Sequence, residues 1–429
     1  MDASLPKSAR HSWMLLGASF VTFLVSSACM QSYAVFLVAF IEEFGWSRGE
    51  SSIAYSVSQL ISGVTSPLVG VLVDRLGPRR LVLFGGVLLA LGLLASSFVH
   101  ALWQLILLYG FIMTLGANCL GLVVFVPLLS RHFVHNRGMA VAIVQSANGF
   151  ARAFSAPVSQ LLIMGLGWRG AYLAQGSFMA VAVLPLAALF RGTEPMPTVA
   201  PQTAASASWT LSRAMRTPHF WLLFLVYVFT GLGSFLVALH QLAFAVTVGF
   251  DKLYAAGVLG LGAFLSLPGV IVTGWLSDRI GRELAAVITY GTSIFGVACA
   301  MLITAPDQHL LLWLHSCFFG LTWGARGPSI TAKTADLFPG PQLGTILGAI
   351  TIGTGLGSAL GSWLAGWSFD LTGSYRMAFS LSILFYTSAA SRSGCCVDPR
   401  PRSIDQGREL QRQSARCQDL YLLLRTYAE

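Results

Sequence analysis

Charged side chains are scarce in this 429-residue chain. Asp, Glu, Lys and Arg together make up 10% of it, while 55% of its residues are hydrophobic. A soluble globular domain carries about 25% charged residues. A water-facing surface cannot be built from so few charges, whereas a lipid-facing surface can. The composition therefore predicts an integral membrane protein.

The motifs of several enzyme and cofactor classes are also lacking. Neither HExxH nor GxSxG occurs, and no GxxxxGK[ST] loop is present to hold ATP phosphates. The seven cysteines show no CxxC pair and no Cys/His spacing typical of a metal site or a disulfide framework. The net charge of +9 is spread over short loops rather than over a basic patch with interleaved aromatic residues. The sequence thus predicts no enzyme, cofactor, metal or nucleic-acid partner.

Long apolar runs are what the chain does contain, and they predict helices. Backbone polar groups must be paired inside lipid, and the runs lack the alternation of barrel strands. About 20 apolar residues span a hydrocarbon core. The first run, Trp13 to Phe40, is about twice the length of a signal-peptide core and has no cleavage site, so it is a retained span. The predicted spans are residues 13–41, 52–73, 81–99, 102–129, 138–164, 171–190, 219–248, 254–276, 284–304, 309–334, 343–369 and an incomplete twelfth at 376–390.

A polar, proline-rich stretch at 191–217 divides these spans into two sets of six. The predicted domains are an N-terminal bundle at 1–190, a linker at 191–217, a C-terminal bundle at 218–390 and an atypical polar tail at 391–429. Beyond Ala390 charge rises and three of the seven cysteines appear. Our hypothesis is that residues from about 388 onward come from a shifted reading frame, and a genuine basic tail is the alternative.

The short loops carry an uneven distribution of Lys and Arg. About twelve lie on the side of the N-terminus and about four on the other side. Loops rich in Lys and Arg stay in the cytoplasm. The N-terminus and the linker are therefore predicted to be cytoplasmic, in a multi-pass protein of the plasma membrane (in bacteria, the inner membrane).

One loop sequence occurs twice. GVLVDRLGPRR at Gly70–Arg80 follows span two, and GWLSDRIGRE at Gly274–Glu283 follows span eight, about 204 residues later. Duplicated six-span halves are an architecture of secondary transporters, with the substrate site between them near the middle of the membrane. The repeat therefore predicts a transporter.

The repeated loop resembles the signature of the major facilitator superfamily. The resemblance implies an all-α polytopic fold of two six-helix bundles that work by alternating access. It also implies that the loop aspartate caps a neighbouring helix and that the basic residues form a charge latch at the cytoplasmic gate. The matching positions are Gly70, Asp74, Arg75, Gly77, Arg79, Asp278, Arg279 and Gly281.

Further stretches resemble bacterial members of the monocarboxylate and oxalate/formate transporter group. They are YAVFLVAFIEEFGWSRGE from Tyr33, NRGMAVAIVQSANG from Asn136, GWRGAY from Gly167, and WGARGP with ADLFPG between Trp323 and Gly340. The resemblance implies a small organic anion, a monocarboxylate by preference, as the substrate. Two departures limit it: the animal carriers' acidic pattern in span one is replaced by VSSACMQ, and span eight lacks their acid–base pair.

The charges inside the predicted spans are positive. Every acidic residue before the tail falls in a terminus, a loop or a span end, whereas Arg152 and Arg326 fall within spans five and ten. A charge at the bilayer centre costs about 2.5–3.5 kcal/mol, and the arginine fork suits a carboxylate. Both arginines are therefore predicted to bind an organic anion. A guanidinium bonded to backbone carbonyls near a kink, or snorkelling into water, is the alternative.

Four other polar residues are candidates for the substrate site: His240, Asn118, Tyr33 and Asn148. His240 could serve a proton step, because imidazole titrates near neutral pH, but a satisfied polar contact is an equal alternative. Asn148 shares a helix face with Arg152. Lys333 is predicted to snorkel to the cytoplasmic end of its span.

Three questions stay open from sequence. Coupling could be to protons or to a counter-anion. A drug or other small-solute exporter of the same fold is the nearest alternative function, although such exporters usually need a membrane-embedded carboxylate. An intramembrane enzyme or a sensor is the alternative from another class.

The glycine series Gly353, Gly357 and Gly361 predicts a helix–helix contact rather than a cofactor loop.

Overall fold

The structure is a computed structural model that describes residues 7–133, 137–190, 209–326, 330, 333–334, 337–338 and 343–395. Within these ranges the regular structure is helical and no strand occurs. Nine of the helices described there are long and apolar enough to cross a membrane. The chain is thus an all-α polytopic membrane protein, as predicted.

The first half of the chain contains helices α1 to α8 and a π-helix. Their bounds are α1 Lys7–Gln31, α2 Tyr33–Phe44, α3 Arg48–Leu76, α4 Pro78–Ser96, α5 Leu102–Leu105, the π-helix Ile106–Met113, α6 Thr114–Asn118, α7 Leu122–His132 and α8 Arg137–Leu189. α8 is one continuous run with a break at Gly167, where φ is 71° and ψ 167°. The break divides α8 into two parts, which correspond to the predicted spans five and six.

In the second half, nine helices have bounds within the described residues. Their bounds are α9 Leu211–Met215, α10 Pro218–Ala238, α11 Gln241–Val248, α12 Lys252–Phe264, α13 Ser266–Ile280, α14 Arg282–Leu302, α15 His309–Leu321, α16 Leu343–Thr372 and α17 Arg376–Cys395. The helix that contains the incomplete span twelve continues past residue 390 to Cys395, and its 20 residues extend about 30 Å. It is not among the nine described helices that are apolar enough to cross a membrane. Residues 396–429, and with them most of the predicted tail, lie outside the described residues.

The two copies of the repeated loop share one backbone conformation. Gly77 has φ 81° and ψ 157°, and Gly281 has φ 91° and ψ 156°; each ends one helix and starts the next. Residues other than glycine rarely adopt this region. The repeated glycine is therefore explained by the sharp turn that joins α3 to α4 and α13 to α14.

The glycine series of α16 packs against α10. A methyl group added at Gly353 would lie 2.7 Å from the carbonyl oxygen of Phe224, and one at Gly361 would lie 2.8 Å from that of Leu232. Gly357, between them, meets the backbone of Val228. Small residues let two helices approach closely where no hydrophobic force draws them together. The predicted helix–helix contact is confirmed.

The first long helix of each half is broken at an equivalent place. α1 ends at Gln31 and α2 begins at Tyr33, while α10 ends at Ala238 and α11 begins at Gln241. Gln31 and Gln241 are about 210 residues apart, close to the spacing of the repeated loop. Discontinuous helices at corresponding positions of two repeats are where transporters of this architecture bind substrate.

Side-chain contacts show which connections between helices lie at the same end of the bundle. Glu42 pairs with Lys252, and Arg48 contacts Tyr375, which brings residues 45–47, 249–251 and 373–375 together. We call this end of the bundle the sealed face. The opposite end carries exposed Arg75, Arg79, Arg80 and Arg279, and we call it the basic face.

Candidate functional site: a central cavity and its seal

A cavity of about 60 Å³ lies between the two halves. The first half contributes the polar residues Gln31, Tyr55, Arg152 and Ser155, and the second half contributes Gln241. The apolar part of the wall consists of Ala34, Ala156, Phe235, Ala238, Leu239, Leu242, Leu259, Gly260, Ala263 and Trp323. None of these lining residues is acidic. The lining is therefore mostly apolar, with a few polar groups and one positive charge.

Arg152 supplies that charge. Its guanidinium carbon lies 3.6 Å from the centroid of the Trp323 ring, so residues of different halves stack on each other. The Nη1 atom of Arg152 is buried and has no hydrogen-bond partner among the described residues. A cation stacked on an aromatic face keeps the in-plane N–H groups free to donate. This arrangement can hold an anion that enters the cavity.

Arg326 lies deeper in the second half, with 6% of its surface exposed. Its Nη2 donates to the carbonyl oxygen of Thr289 at 3.3 Å and to the hydroxyl of Ser293. Its guanidinium carbon is 4.7 Å from the ring centroid of Tyr290 and 4.6 Å from that of Tyr386. Arg326 thus donates to fixed oxygens of the protein, one of them a backbone carbonyl, as the alternative to substrate binding predicts. Its Nε has no hydrogen-bond partner among the described residues.

The helix that precedes Arg326 ends before it. α15 ends at Leu321, and Gly324 has φ 76° in the turn that follows. The predicted span ten, residues 309–334, is therefore interrupted by a turn at 322–325, which the apolar pattern of the sequence does not show.

The other three polar candidates lie within the first half. Asn118 is hydrogen-bonded to α3: its side-chain nitrogen donates to the hydroxyl of Thr65 at 2.7 Å, and its oxygen accepts from Ser62 at 3.0 Å. The hydroxyl of Tyr33 donates to the carbonyl oxygen of Ser51. Asn148 accepts a hydrogen bond of 3.3 Å from the cavity residue Gln31. None of the three lines the cavity itself.

The seal between the halves is built on the first turn of α3. The carboxylate of Asp370, near the end of α16, accepts backbone N–H bonds from Arg48 at 2.9 Å and from Gly49 at 2.7 Å. The guanidinium of Arg48 donates to Thr247 at 2.7 Å and to Tyr375. A carboxylate that receives the free amides at a helix N-terminus is stabilised by the helix dipole as well. These contacts tie the two halves together at the sealed face.

His240 completes the seal next to the cavity. The ring is fully buried, and its Nε2 lies 2.9 Å from the carbonyl oxygen of Ser362 and 3.1 Å from the hydroxyl of Ser52. Its Nδ1 lies 3.3 Å from the hydroxyl of Tyr375. Leu239 and Gln241, its neighbours in the chain, line the cavity. The structure thus places His240 in the seal, one residue away from the cavity wall.

The hydrogen bonds between the halves are concentrated at the sealed face. Among the described residues, each of them comes from residues 42–56 of the first half. On the other side of the cavity the described contacts between the halves are apolar, such as the packing of Phe150 on Phe264 with ring centroids 5.5 Å apart. The described contacts therefore close the protein at the sealed face.

The motif residues lie on the basic face. Arg75, Arg79 and Arg279 are exposed, and Arg279 covers the ring of Trp275 with its guanidinium carbon 4.2 Å from the centroid. Gly70 lies in α3, opposite Val123. The side chains of Asp74 and Asp278 are outside the described residues. Lys333 forms an ion pair of 2.8 Å with Glu283 on this face.

Sequence reasoning did not select several of the cavity residues. Gln31, Gln241, Tyr55, Phe235 and Trp323 line it. Only the two glutamines left a usable signal, since both are polar residues at equivalent positions of the first span in each half. The aromatic residues could not be distinguished, because most aromatic residues in an apolar helix face lipid or the core.

Two helical halves, each with a broken first helix, enclose a cavity that contains a few polar groups and is closed on one face. This arrangement defines a membrane transporter. The sequence profile of the Major Facilitator Superfamily matches residues 15–362, and the chain belongs to that family.

Sequence relatives are transporters at low identity. Monocarboxylate transporter 13 of Rattus norvegicus is 28% identical over 384 residues, which cover 89% of this chain and 87% of the relative. Monocarboxylate transporter 2 of Homo sapiens is 25% identical, with 87% and 83% covered. An uncharacterized MFS-type transporter of Bacillus subtilis, YcxA, is 22% identical, with 88% and 93% covered. The resemblance to the monocarboxylate group is confirmed.

Solved structures share the fold. A mutant of the nucleoside transporter NupG superimposes with a TM-score of 0.72 at 11% identity, over 90% of this chain and 100% of that chain. A bacterial homolog of the human lysosomal transporter Spinster, solved inward-facing and unoccupied, gives a TM-score of 0.63 at 14% identity, over 90% and 94%. At these identities the likeness concerns the fold alone.

Proposed function

We propose that this transporter carries a small organic anion with one carboxylate group, and that Arg152 binds the carboxylate. The observation that carries the proposal is the buried Nη1 of Arg152, which has no partner among the described residues and belongs to a side chain that lines the central cavity. A guanidinium without a fixed acceptor gains a charge-assisted hydrogen bond when a carboxylate arrives. The printed names of the monocarboxylate relatives support the same substrate class.

The apolar wall supports a small substrate with an alkyl or aromatic part. Phe235, Leu259 and Trp323 face the same cavity as Arg152, while Gln31 and Gln241 offer amide groups. Ligand sites are commonly apolar with a few polar groups that fix orientation. We assign the carboxylate to Arg152 and the remainder of the substrate to the aromatic side of the cavity.

Arg326 acts in this proposal as a fixed positive charge behind the cavity. Its guanidinium packs on the rings of Tyr290 and Tyr386 and donates to Ser293, so the second half holds this charge in place. An anion that enters the cavity would be attracted by this charge as well as by Arg152.

Transport would proceed by alternating access, with the two halves moving about the cavity. The sealed face would be the outer face, because the loops rich in Lys and Arg, including Arg75 and Arg279, lie at the opposite end. The structure would then represent a form that is closed to the outside of the plasma membrane. Protons or a counter-anion would supply the energy.

The alternative of a drug or small-solute exporter makes a different demand on the cavity. Exporters of cationic compounds need a buried carboxylate to receive the positive charge. Among the lining residues Arg152 is charged and none is acidic. The proposal therefore favours an anionic substrate over a cationic one.

Uptake into proteoliposomes tests the proposal. Labelled lactate, pyruvate, formate and oxalate would be offered to the purified protein, with and without a pH gradient. We expect saturable uptake of at least one monocarboxylate, and competition between the monocarboxylates that fit. Absence of uptake for all of them, in both directions and under both gradients, would contradict the substrate class.

Arginine variants assign the site. Arg152→Gln should lower uptake about tenfold or more, because a hydrogen bond to a charged group contributes about 1.5–3 kcal/mol. Arg376→Gln is the matched control, since Arg376 is exposed and does not line the cavity. Equal uptake by Arg152→Gln and by the control, at equal amounts of inserted protein, would rule out Arg152 as the carboxylate-binding group.

A further inference from the structure

His240 lies where a chain of hydrogen bonds links the two halves. It occupies the break between α10 and α11, and neither ring nitrogen is without a partner. Nε2 approaches Ser362 and Ser52, while Nδ1 approaches the hydroxyl of Tyr375. The seal therefore depends on where this ring carries its protons.

The partners determine the direction of each hydrogen bond. The carbonyl oxygen of Ser362 can only accept, so Nε2 carries a hydrogen and donates it. Ser52 donates its own hydrogen to the carbonyl oxygen of Arg48 at 2.6 Å, which leaves its oxygen free to accept from Nε2. At the other nitrogen, the oxygen of Tyr375 accepts from Arg48, and its own hydroxyl hydrogen has Nδ1 within reach as an acceptor. A neutral imidazole with its single hydrogen on Nε2 therefore satisfies all the groups around the ring in the sealed form.

We propose that His240 is a proton-binding group that controls the seal: the neutral ring closes the face, and the protonated ring opens it. The proposal rests on the alternating access proposed above, but not on the identity of the substrate. While the face is open, Nδ1 takes a proton from water at that face. The same proton returns to that water before the face closes.

Protonation removes the acceptor that Nδ1 offers to the hydroxyl of Tyr375. A hydrogen on Nδ1 would point at the tyrosine oxygen, which already accepts from Arg48. The tyrosine hydroxyl would then have to turn its own hydrogen away from the ring. A buried polar group that loses its partner is destabilised. The closed form therefore becomes less stable when the ring is charged.

The charged and titratable groups around the ring do not reverse this effect. α3 presents Arg48, α16 presents Asp370, and the connection before α17 presents Tyr375. The carboxylate of Asp370 is engaged by the amides of Arg48 and Gly49. The opposite charges of Arg48 and Asp370 offset each other, and the ion pair of Glu42 with Lys252 is neutral overall. Burial of the ring and the directions of its hydrogen bonds then decide which form seals.

The chemistry of imidazole suits this role. It is the side chain whose ordinary pKa places its charge change between about pH 5 and pH 8. None of the described lining residues is acidic, and His240 lies between two of them in the chain, Leu239 and Gln241. Because Leu239 and Gln241 line the cavity on either side of His240, a change in the ring also moves the wall of the site.

Distance measurements between spin labels test the proposal without any substrate. Labels at Trp103 and Asp307, which are both exposed and lie on different halves, would report opening of the sealed face in a cysteine-free background. In lipid nanodiscs the wild-type protein should show mainly the short distance at about pH 8. The ratio of long to short distances should rise about threefold or more at about pH 5.5.

The variant His240→Gln keeps a donor and an acceptor but cannot be protonated. It should retain the short distance at both pH values. His100→Gln is the matched control, because His100 is an exposed histidine on the same face, and it should respond to pH like the wild type. An unchanged distance in the wild type, or an equal pH response in His240→Gln, would overturn the proposal.

A second variant covers the case in which His240→Gln does not fold. Tyr375→Phe removes the donor to Nδ1, so the long distance should already be more populated at about pH 8, and the change on acidification should be smaller. A pH response of wild-type size in Tyr375→Phe would contradict the proposal. Failure of substrate binding would leave all these distances unaffected, so the two proposals fail separately.

Discussion

The indole ring of Trp323 covers the guanidinium group of Arg152 at 3.6 Å, and the two residues belong to different halves of the protein. The stacking places the positive charge of the first half against the wall supplied by the second half. It also leaves the edge of the guanidinium as the route by which an acceptor can approach. The site is therefore complete only when the two halves are in contact at this point.

Loss of the Trp323 ring should weaken substrate binding through Arg152. A cation–π contact contributes about 0.5–2 kcal/mol, so Trp323→Leu should raise KM for a transported carboxylate by about two- to thirtyfold. Trp323→Phe should keep most of the affinity, because a phenyl ring still offers a face. KM and the maximal rate would be measured separately in proteoliposomes. A maximal rate that falls with an unchanged KM would contradict the positioning role.

Weakening the contact between Asp370 and α3 should open the sealed face. Asp370→Asn removes the negative charge and one of the two oxygens that accept N–H bonds from Arg48 and Gly49. We expect about threefold faster labelling of a cysteine at the cavity residue Ala34 by an impermeant maleimide applied on the sealed side.

The control for this measurement is Asp307→Asn. Asp307 is an exposed aspartate near the sealed face, and its side chain shows no hydrogen bond to another described residue. Labelling at Ala34→Cys should then proceed at the wild-type rate. Equal rates for Asp370→Asn and Asp307→Asn would show that the carboxylate of Asp370 does not hold the face closed.

The close contact between α16 and α10 should not tolerate an added methyl group. A Cβ at Gly357 would run into the backbone of Val228, whereas a Cβ at Gly348 would meet nothing within 4 Å. Overpacking of this kind costs about 1–3 kcal/mol. Gly357→Ala should therefore lower the apparent Tm in detergent, and Gly348→Ala should leave it near the wild-type value. The reverse order of the two Tm values would contradict the packing.

The turn of the repeated loop should depend on glycine for its backbone conformation. At Gly281 φ is 91°, so Gly281→Ala should destabilise the protein by about 1–3 kcal/mol. Gly274→Ala is the control, since Gly274 lies within α13 and has open space around it. Thermal unfolding of both variants checks the prediction, and equal Tm values would show that the turn relaxes without strain.

Much of the fold could be predicted from the sequence alone. Scarce charge and long apolar runs are sufficient for a bundle of membrane helices, because lipid permits no other pairing of the backbone here. The repeated loop added the division into halves, and the glycine series of α16 indicated a helix contact that the structure confirms at Gly353 and Gly361. The apolar pattern ends at residue 390, whereas the helical backbone continues to Cys395, so the pattern alone does not locate the end of that helix.

The candidate site was only partly accessible to the same reasoning. Arg152 was selected because an unpaired cation in a span is costly, and it lines the cavity. Arg326 was selected by the same argument, yet the structure surrounds it with Tyr290, Tyr386 and Ser293. Because burying a guanidinium group is costly, a buried arginine is expected to have a hydrogen-bond acceptor. The cost does not indicate whether that acceptor belongs to a substrate or to the protein.

What the sequence by itself determined is the kind of molecule: its helices, its duplication, and the sign of its buried charge, all of which are local properties of composition and spacing. Which polar residues meet was decided only by the tertiary structure. His240 contacts Ser52 and Ser362, residues 188 and 122 positions away, and Arg152 contacts Trp323. Such contacts depend on how two bundles pack across an interface, and no short-range pattern in the chain encodes that geometry.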